Sequence, residues 1–253
     1  MKLSKTVPIV AAFAVVMAFA RASEAEDDDE PLPAPTAAPV AAPFHAPFQA
    51  SMALDVIWRP DRGYDVFTDA QVSAGFGLTF ARTFTARGSR IEFGAEVGWR
   101  LDGVAGRFAQ RFNSALWTNT FTGGVHVRLA VAPFFLPFVR VAGGGAITET
   151  RLTADDSSGA LVGNAWSAVG IAGLGVMLRT PNGFAREGVG SRVGFAFSVE
   201  GGAQLFSTTT LVVTPEAPRD DRVAREQIPL RSATLGDVQQ SAPYMRMAAG
   251  FVF

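Results

Sequence analysis

The sequence predicts an all-β fold: an eight-stranded antiparallel up-and-down transmembrane β-barrel behind an export signal and a linker. Three observations predict it. Apolar residues make up 48% of the chain and mean hydropathy is +0.21, yet beyond the N-terminus no run approaches the roughly 20 apolar residues that a membrane helix needs. From Ala50 onward, apolar residues alternate with small or polar ones at a period of two, the period of a strand. The aromatic residues also sort by height once the segments are laid out alternately up and down.

The N-terminus comes first. Residues 1–25 have the pattern of a signal peptide: Lys2 and Lys5 as a positive start, Val7 to Ala20 as an apolar stretch too short to span, and small-residue cleavage patterns at Ala18-Phe19-Ala20 and Ser23-Glu24-Ala25. Residues 26–49 are acidic and then rich in proline and alanine, the composition of a semi-rigid linker without a core. Residues 50–253 form the barrel. The Asp27-Asp28-Asp29 run is expected to be a solvated charge run rather than a cation site.

Eight segments alternate: Ser51–Trp58, Gln71–Arg82, Arg90–Leu101, Trp117–Leu129, Phe138–Thr148, Trp166–Leu178, Val193–Phe206 and Pro243–Phe253. Most are near the roughly 9–11 residues with which a tilted strand crosses a bilayer. In the third, Ile91, Phe93, Ala95, Val97, Trp99 and Leu101 share one face, and Arg90, Glu92, Gly94, Glu96, Gly98 and Arg100 the other. The sixth is the least regular, because Val169 and Ile171 fall on its polar face. A soluble sandwich alternates too. The polar faces here are built from Gly, Ser, Thr and a few opposite charges, which suits a narrow lumen.

Both ends of the barrel are expected on the inner side. Trp58, Trp99, Trp117 and Trp166 then fall at the outer rim on the lipid face, and Phe80, Phe93, Phe195, Phe251 and Phe253 near the inner rim. Two aromatic girdles fit a membrane barrel. The outer loops are expected at Arg59–Ala70, Asp102–Leu116, Glu149–Ala165 and Ser207–Ala242, and the inner turns at Thr83–Ser89, Ala130–Pro137 and Arg179–Arg192. Thr208–Val213 is strand-prone, so a hairpin within Ser207–Ala242 would raise the strand count to ten.

The stretch Arg246-Met247-Ala248-Ala249-Gly250-Phe251-Val252-Phe253 resembles the sorting signal of outer-membrane barrels, with Arg246, Phe251 and Phe253 matching and Ala248 standing where glycine is usual. Together with the signal peptide, it makes residues 50–253 resemble the small outer-membrane barrels typified by OmpX and the membrane domain of OmpA. The resemblance implies localisation to the cell outer membrane. It implies outer-membrane lipid and lipopolysaccharide as partners, with barrel assembly machinery and periplasmic chaperones during biogenesis. It implies a non-enzymatic structural or surface-interaction role through the outer loops. A narrow porin-like channel is the second expectation and a lipid-modifying enzyme the third.

The candidate site is the lumen. Inward parity places Asp55, Glu96, Glu200 and Arg246 near mid-height, and Glu92, Arg128 and Arg140 lower, as a paired charge network that plugs the interior. No catalytic set is expected. Barrels that deacylate or palmitoylate lipid A rely on a histidine paired with a serine, whereas His45 lies in the linker and His126 has Arg128, not a serine, as its same-face neighbour. The triple glycine Gly143-Gly144-Gly145 and the run Gly170 to Gly175 are expected to pack inside the barrel rather than to cradle phosphate. Asp155-Asp156 is expected to be a polar loop tip. Cysteine is absent and net charge is -1, so disulfides, thiolate chemistry and bulk attraction to nucleic acid are excluded. No cofactor or metal is expected, and the barrel is expected to be a monomer.

Overall fold

The structure, a computed structural model, describes residues 47–59, 71–84, 89–108, 112–154, 160–180, 184–186, 189–216, 231–238 and 240–253. The expected signal peptide and nearly all of the expected linker, including Asp27-Asp28-Asp29 and His45, lie outside them, as do Asp155-Asp156. Every regular element among the described residues is a strand: β1 (Phe48–Trp58), β2 (Val72–Phe84), β3 (Ile91–Phe108), β4 (Phe112–Leu129), β5 (Phe135–Ala154), β6 (Ala160–Arg179), β7 (Phe184–Arg186), β8 (Val189–Phe206), β9 (Thr209–Pro215), β10 (Ala233–Val238) and β11 (Ala242–Val252).

Eight of them close into an antiparallel barrel in the order β1-β2-β3-β4-β5-β6-β8-β11, with β11 returning to β1. All eight expected segments fall on these strands, with only Gln71, Arg90 and Phe253 one residue beyond a strand end. Register partners followed from Phe48 through Arg82, Ala95, Val125, Val141, Ala172, Ala203 and Pro243 end level with Trp58, ten residues up the first strand. Eight strands with that stagger tilt by about 40° and leave room inside for side chains alone.

The period of two puts opposite chemistries on the two faces. On β11, Tyr244, Arg246, Ala248 and Val252 are buried inside, while Met245, Met247 and Phe251 are exposed outside. On β2, Phe76, Leu78 and Phe80 face outward. Phe80, Phe93, Phe195 and Phe251 sit low on the outer wall, and Trp58, Trp117 and Trp166 sit about ten residues higher, a rise of about 26 Å at about 40° of tilt. Trp99 is deeper. It pairs with Phe121, whereas Trp117 lies four residues further up β4, opposite Gly103.

Two expected outer loops are corrected. Asp102–Leu116 is mostly strand, because β3 runs to Phe108 and β4 starts at Phe112. Glu149–Ala165 is likewise mostly strand, with β5 reaching Ala154 and β6 starting at Ala160. The reason is an inversion of polarity above the tryptophans. There Val104, Leu116 and Leu152 turn inward and pack with Leu211, Val213 and Val238, while Arg107, Asn113, Glu149 and Arg151 face outward. The strands therefore continue as a protruding sheet with its own apolar core.

The hairpin suspected in Ser207–Ala242 exists as β9 and β10, but it adds no stave. β9 continues the line of β8 beside β6, through Leu161↔Pro215 and Val162↔Thr214, and β10 pairs with β9 and leads into β11. The barrel therefore has eight strands, not ten. Gly236, with φ +98°, takes up the register shift in β10. In the third inner turn, β7 pairs with β8.

The glycines divide between the faces. Gly144 points into the barrel against the β4 backbone, and Gly173 lies beneath Glu200 and Tyr244. Gly143, Gly145 and Gly170 face outward, so the expectation that both glycine runs pack inside holds for alternate residues only. The alternation itself decides this: consecutive glycines necessarily point to opposite faces.

Candidate functional site: the lumen charge network

Seven strands deliver charged side chains to an interior about one side chain across. A charge buried there without a partner is costly, so geometry decides whether each is paired. Lowest, Arg179 Nη2 lies 2.7 Å from Glu92 Oε1, and Arg128 Nη2 donates to Gln49 Oε1 at 2.7 Å. Glu92 and Arg128 are register partners across β3 and β4, yet the carboxylate takes its ion pair from Arg179.

Above them Glu96 accepts from Arg140 Nε on one oxygen and faces His126 Nδ1 at 3.2 Å on the other. Arg140 also reaches Glu200 through Nη1 at 3.3 Å, and the Tyr244 hydroxyl donates to the same Glu200 oxygen. Arg140 thus bridges two carboxylates. At the closing seam, Arg246 donates from Nε to Asp55 Oδ1 at 2.8 Å and from Nη2 to Oδ2 at 3.3 Å. Arg246 stands opposite Glu200 on one side and Asp55 on the other, and its guanidinium turns to Asp55.

A second storey lies above. Arg59 Nη2 binds Asp102 Oδ2, Arg59 Nε donates to Ser73 Oγ at 2.9 Å, and Arg100 Nε is 3.3 Å from Asp102 Oδ1. Higher still, Gln240 Nε2 donates to Thr148 Oγ1 at 2.8 Å and accepts from Thr118 Oγ1 at 3.3 Å.

The seven lumen residues expected from parity, Asp55, Glu92, Glu96, Arg128, Arg140, Glu200 and Arg246, all point inside, and all but Arg128 make ion pairs. Arg59, Arg100, Asp102, Arg179 and Tyr244 were not anticipated. For Arg100 and Asp102 the signal was present, since both continue the inward parity of Glu92 and Glu96.

Apolar clusters fill the remaining cross-section. Leu136, Met177, Ala196 and Val252 pack near the inner end. Ile57, Ala146, Val169, Ile171, Phe206 and Tyr244 pack beside the upper charges, which accounts for Val169 and Ile171 on a polar face. Between the lower clusters lies a cavity of about 40 Å³, lined by Glu96, His126, Arg128, Arg140, Glu200 and Arg246 among others. That is room for a water molecule or two. Among the described residues no serine hydroxyl bonds His126, and no group of three or more potential ligands could hold a metal ion.

The outer wall carries the rest. Trp58, Trp117 and Trp166 are exposed, and Trp99 Nε1 donates to Asn119 Oδ1 at 3.3 Å. Phe253 exchanges backbone hydrogen bonds with Phe48 at 2.9 and 3.0 Å, and their rings stack with centroids 6.1 Å apart. Phe195 and Phe251 meet edge to face at 6.1 Å.

No protein-family model matches the sequence. No curated protein matches it either. Among solved structures, the chain is similar to the transport unit of the autotransporter AIDA-I from Escherichia coli, at 10% identity and a TM-score of 0.31, over 96% of this chain and 97% of that one. A similarity that weak carries no argument, and the fold rests on the strand register given above.

Proposed function

We propose that the protein is exported to the outer membrane and acts there without catalysis, as a closed barrel whose protruding sheet meets the environment. The observation that carries this reading is the outer wall. Between the two aromatic girdles, Arg82 and Asn119 are the only polar side chains that the described strands turn outward. Met52, Leu54, Val97, Phe121, Val125, Val141, Leu174 and Leu205 are each more than half exposed. A water-facing sheet would have no use for such a belt around its whole circumference, and a lipid-facing one requires it. The belt's rise of about 26 Å matches the apolar band of membrane barrels.

Kinship with the small outer-membrane barrels is part of the proposal and rests on the pattern of Arg246, Phe251 and Phe253. Lipid and lipopolysaccharide are the expected surroundings, and assembly machinery would read the same three residues. The filled lumen favours a sealed wall over a solute channel. The test is outer-membrane fractionation followed by electrophoresis of heated and unheated samples. A heat-modifiable band in the membrane fraction is expected. Recovery in the soluble periplasmic fraction would overturn the reading.

A further inference from the structure

Arg82 is the one charged side chain that the described strands place on the apolar belt. It stands low on β2, paired in register with Phe48 of β1 and Ala95 of β3, at the level of the lower aromatic girdle. Its guanidinium carbon lies 5.6 Å from the ring centre of Phe48 and 5.1 Å from that of Phe84. Phe48 in turn stacks on Phe80 at 5.9 Å and on Phe253 at 6.1 Å. The guanidinium is therefore the single charged plane in a row of aromatic rings. No hydrogen bond or ion pair joins it to another described residue, although every guanidinium inside the lumen has a polar partner.

We infer that Arg82 is a binding site for the anionic phosphate of a lipid headgroup in the inner leaflet, an inference that rests on the membrane reading above. The guanidinium lies over the Phe48 and Phe84 rings, and no described residue takes its N–H donors. A planar fork of donors matches a phosphate diester, which takes two parallel hydrogen bonds. The rings hold the plane at the height where hydrocarbon gives way to headgroups, so the side chain need not climb to reach its ligand. The two rings also fix rotamers that a lone surface arginine would lose on binding. A carboxylate of the chain would serve the charge equally well, and none of the described ones is beside it.

The test uses the full-length protein in phosphatidylcholine vesicles carrying trace spin-labelled phosphatidylglycerol or spin-labelled phosphatidylcholine. Electron paramagnetic resonance reads the motionally restricted fraction of each. The wild type is expected to prefer phosphatidylglycerol. Arg82→Gln should lower that preference about fivefold, the weight of one arginine at an anionic surface. Arg82→Lys should retain part of it, and Arg151→Gln, on the outer wall above the belt, should leave it unchanged. Added inorganic phosphate distinguishes the two sources of this chemistry: the preference should persist at millimolar phosphate, and its loss there would identify a free-phosphate site and overturn the lipid assignment. Wild-type preference in Arg82→Gln would overturn the proposal alone. Absence of restricted lipid around the wild type would overturn the membrane reading itself. If Arg82→Gln gives no heat-modifiable band, Phe48→Leu, which loosens the stack and keeps the charge, should lower the preference, and an unchanged value would again reject the site.

Discussion

Arg246 of β11 holds the Asp55 carboxylate of β1 with two hydrogen bonds, at 2.8 and 3.3 Å, across the seam where the barrel closes. Both side chains are buried, so neither charge has bulk solvent to fall back on. Removing one partner strands the other. Asp55→Ala or Arg246→Ala should each destabilise the barrel by about 3–5 kcal/mol. The double variant should lose less than the sum of the two. Urea unfolding in detergent, followed by tryptophan fluorescence, measures all three, and additive losses would deny the pairing.

Gly143 and Gly144 offer a contrast between neighbours. A Cβ on Gly144 would run into the Phe121 carbonyl on β4, which is backbone and has nowhere to move. A Cβ on Gly143 would meet only the Val169 carbonyl, at 3.7 Å. Gly144→Ala should therefore cost about 1–3 kcal/mol. Gly143→Ala should be neutral or stabilise by up to about 1 kcal/mol. Equal effects in the same unfolding assay would reject the assignment of faces.

Ion pairs and packed apolar groups both fill the lumen. Taking out the charges alone leaves Leu136, Met177 and Val252 near the inner end and Ile57, Val169 and Phe206 above. Single-channel recording should give negligible current for the wild type and for the double variant Asp55→Ala, Arg246→Ala. A steady conductance in that variant alone would assign a gating role to the seam pair.

The tryptophans are set at two depths. Variants that keep one tryptophan each, in vesicles of lipids brominated at defined carbons, should report this directly. Trp58, Trp117 and Trp166 should be quenched best by bromines near the headgroup. Trp99 should prefer bromines about 10 Å deeper. A common depth for all four would contradict the register.

The walls of the barrel were legible because grease and polarity alternate on them with a period that only a strand has. That Asp55 and Arg246 lie close together was legible too, since closure brings the first and last segments side by side. The upper ends of β3 to β6 were not legible, because Val104, Leu116 and Leu152 reverse the rule and bury their grease inside. A reader who equates apolar with outward loses the strand at that point. Partner choice was also hidden. Parity gives Arg246 a face and a depth, but both Glu200 and Asp55 stand opposite it, and the contest is settled by Arg140 and Tyr244 already engaging Glu200.

The seam has a consequence for how the protein comes into being. Asp55 and Arg246 are 191 residues apart, so the contact that completes the wall joins segments from opposite ends of the described chain. Loop closure of that span is slow beside the formation of neighbouring hairpins. Until it happens, β1 and β11 each present a row of unpaired amides and carbonyls, which another half-made chain would readily join. Closure is accordingly all or none: a chain lacking β11 leaves β1 and β8 with open edges, a template for aggregation rather than a smaller closed barrel.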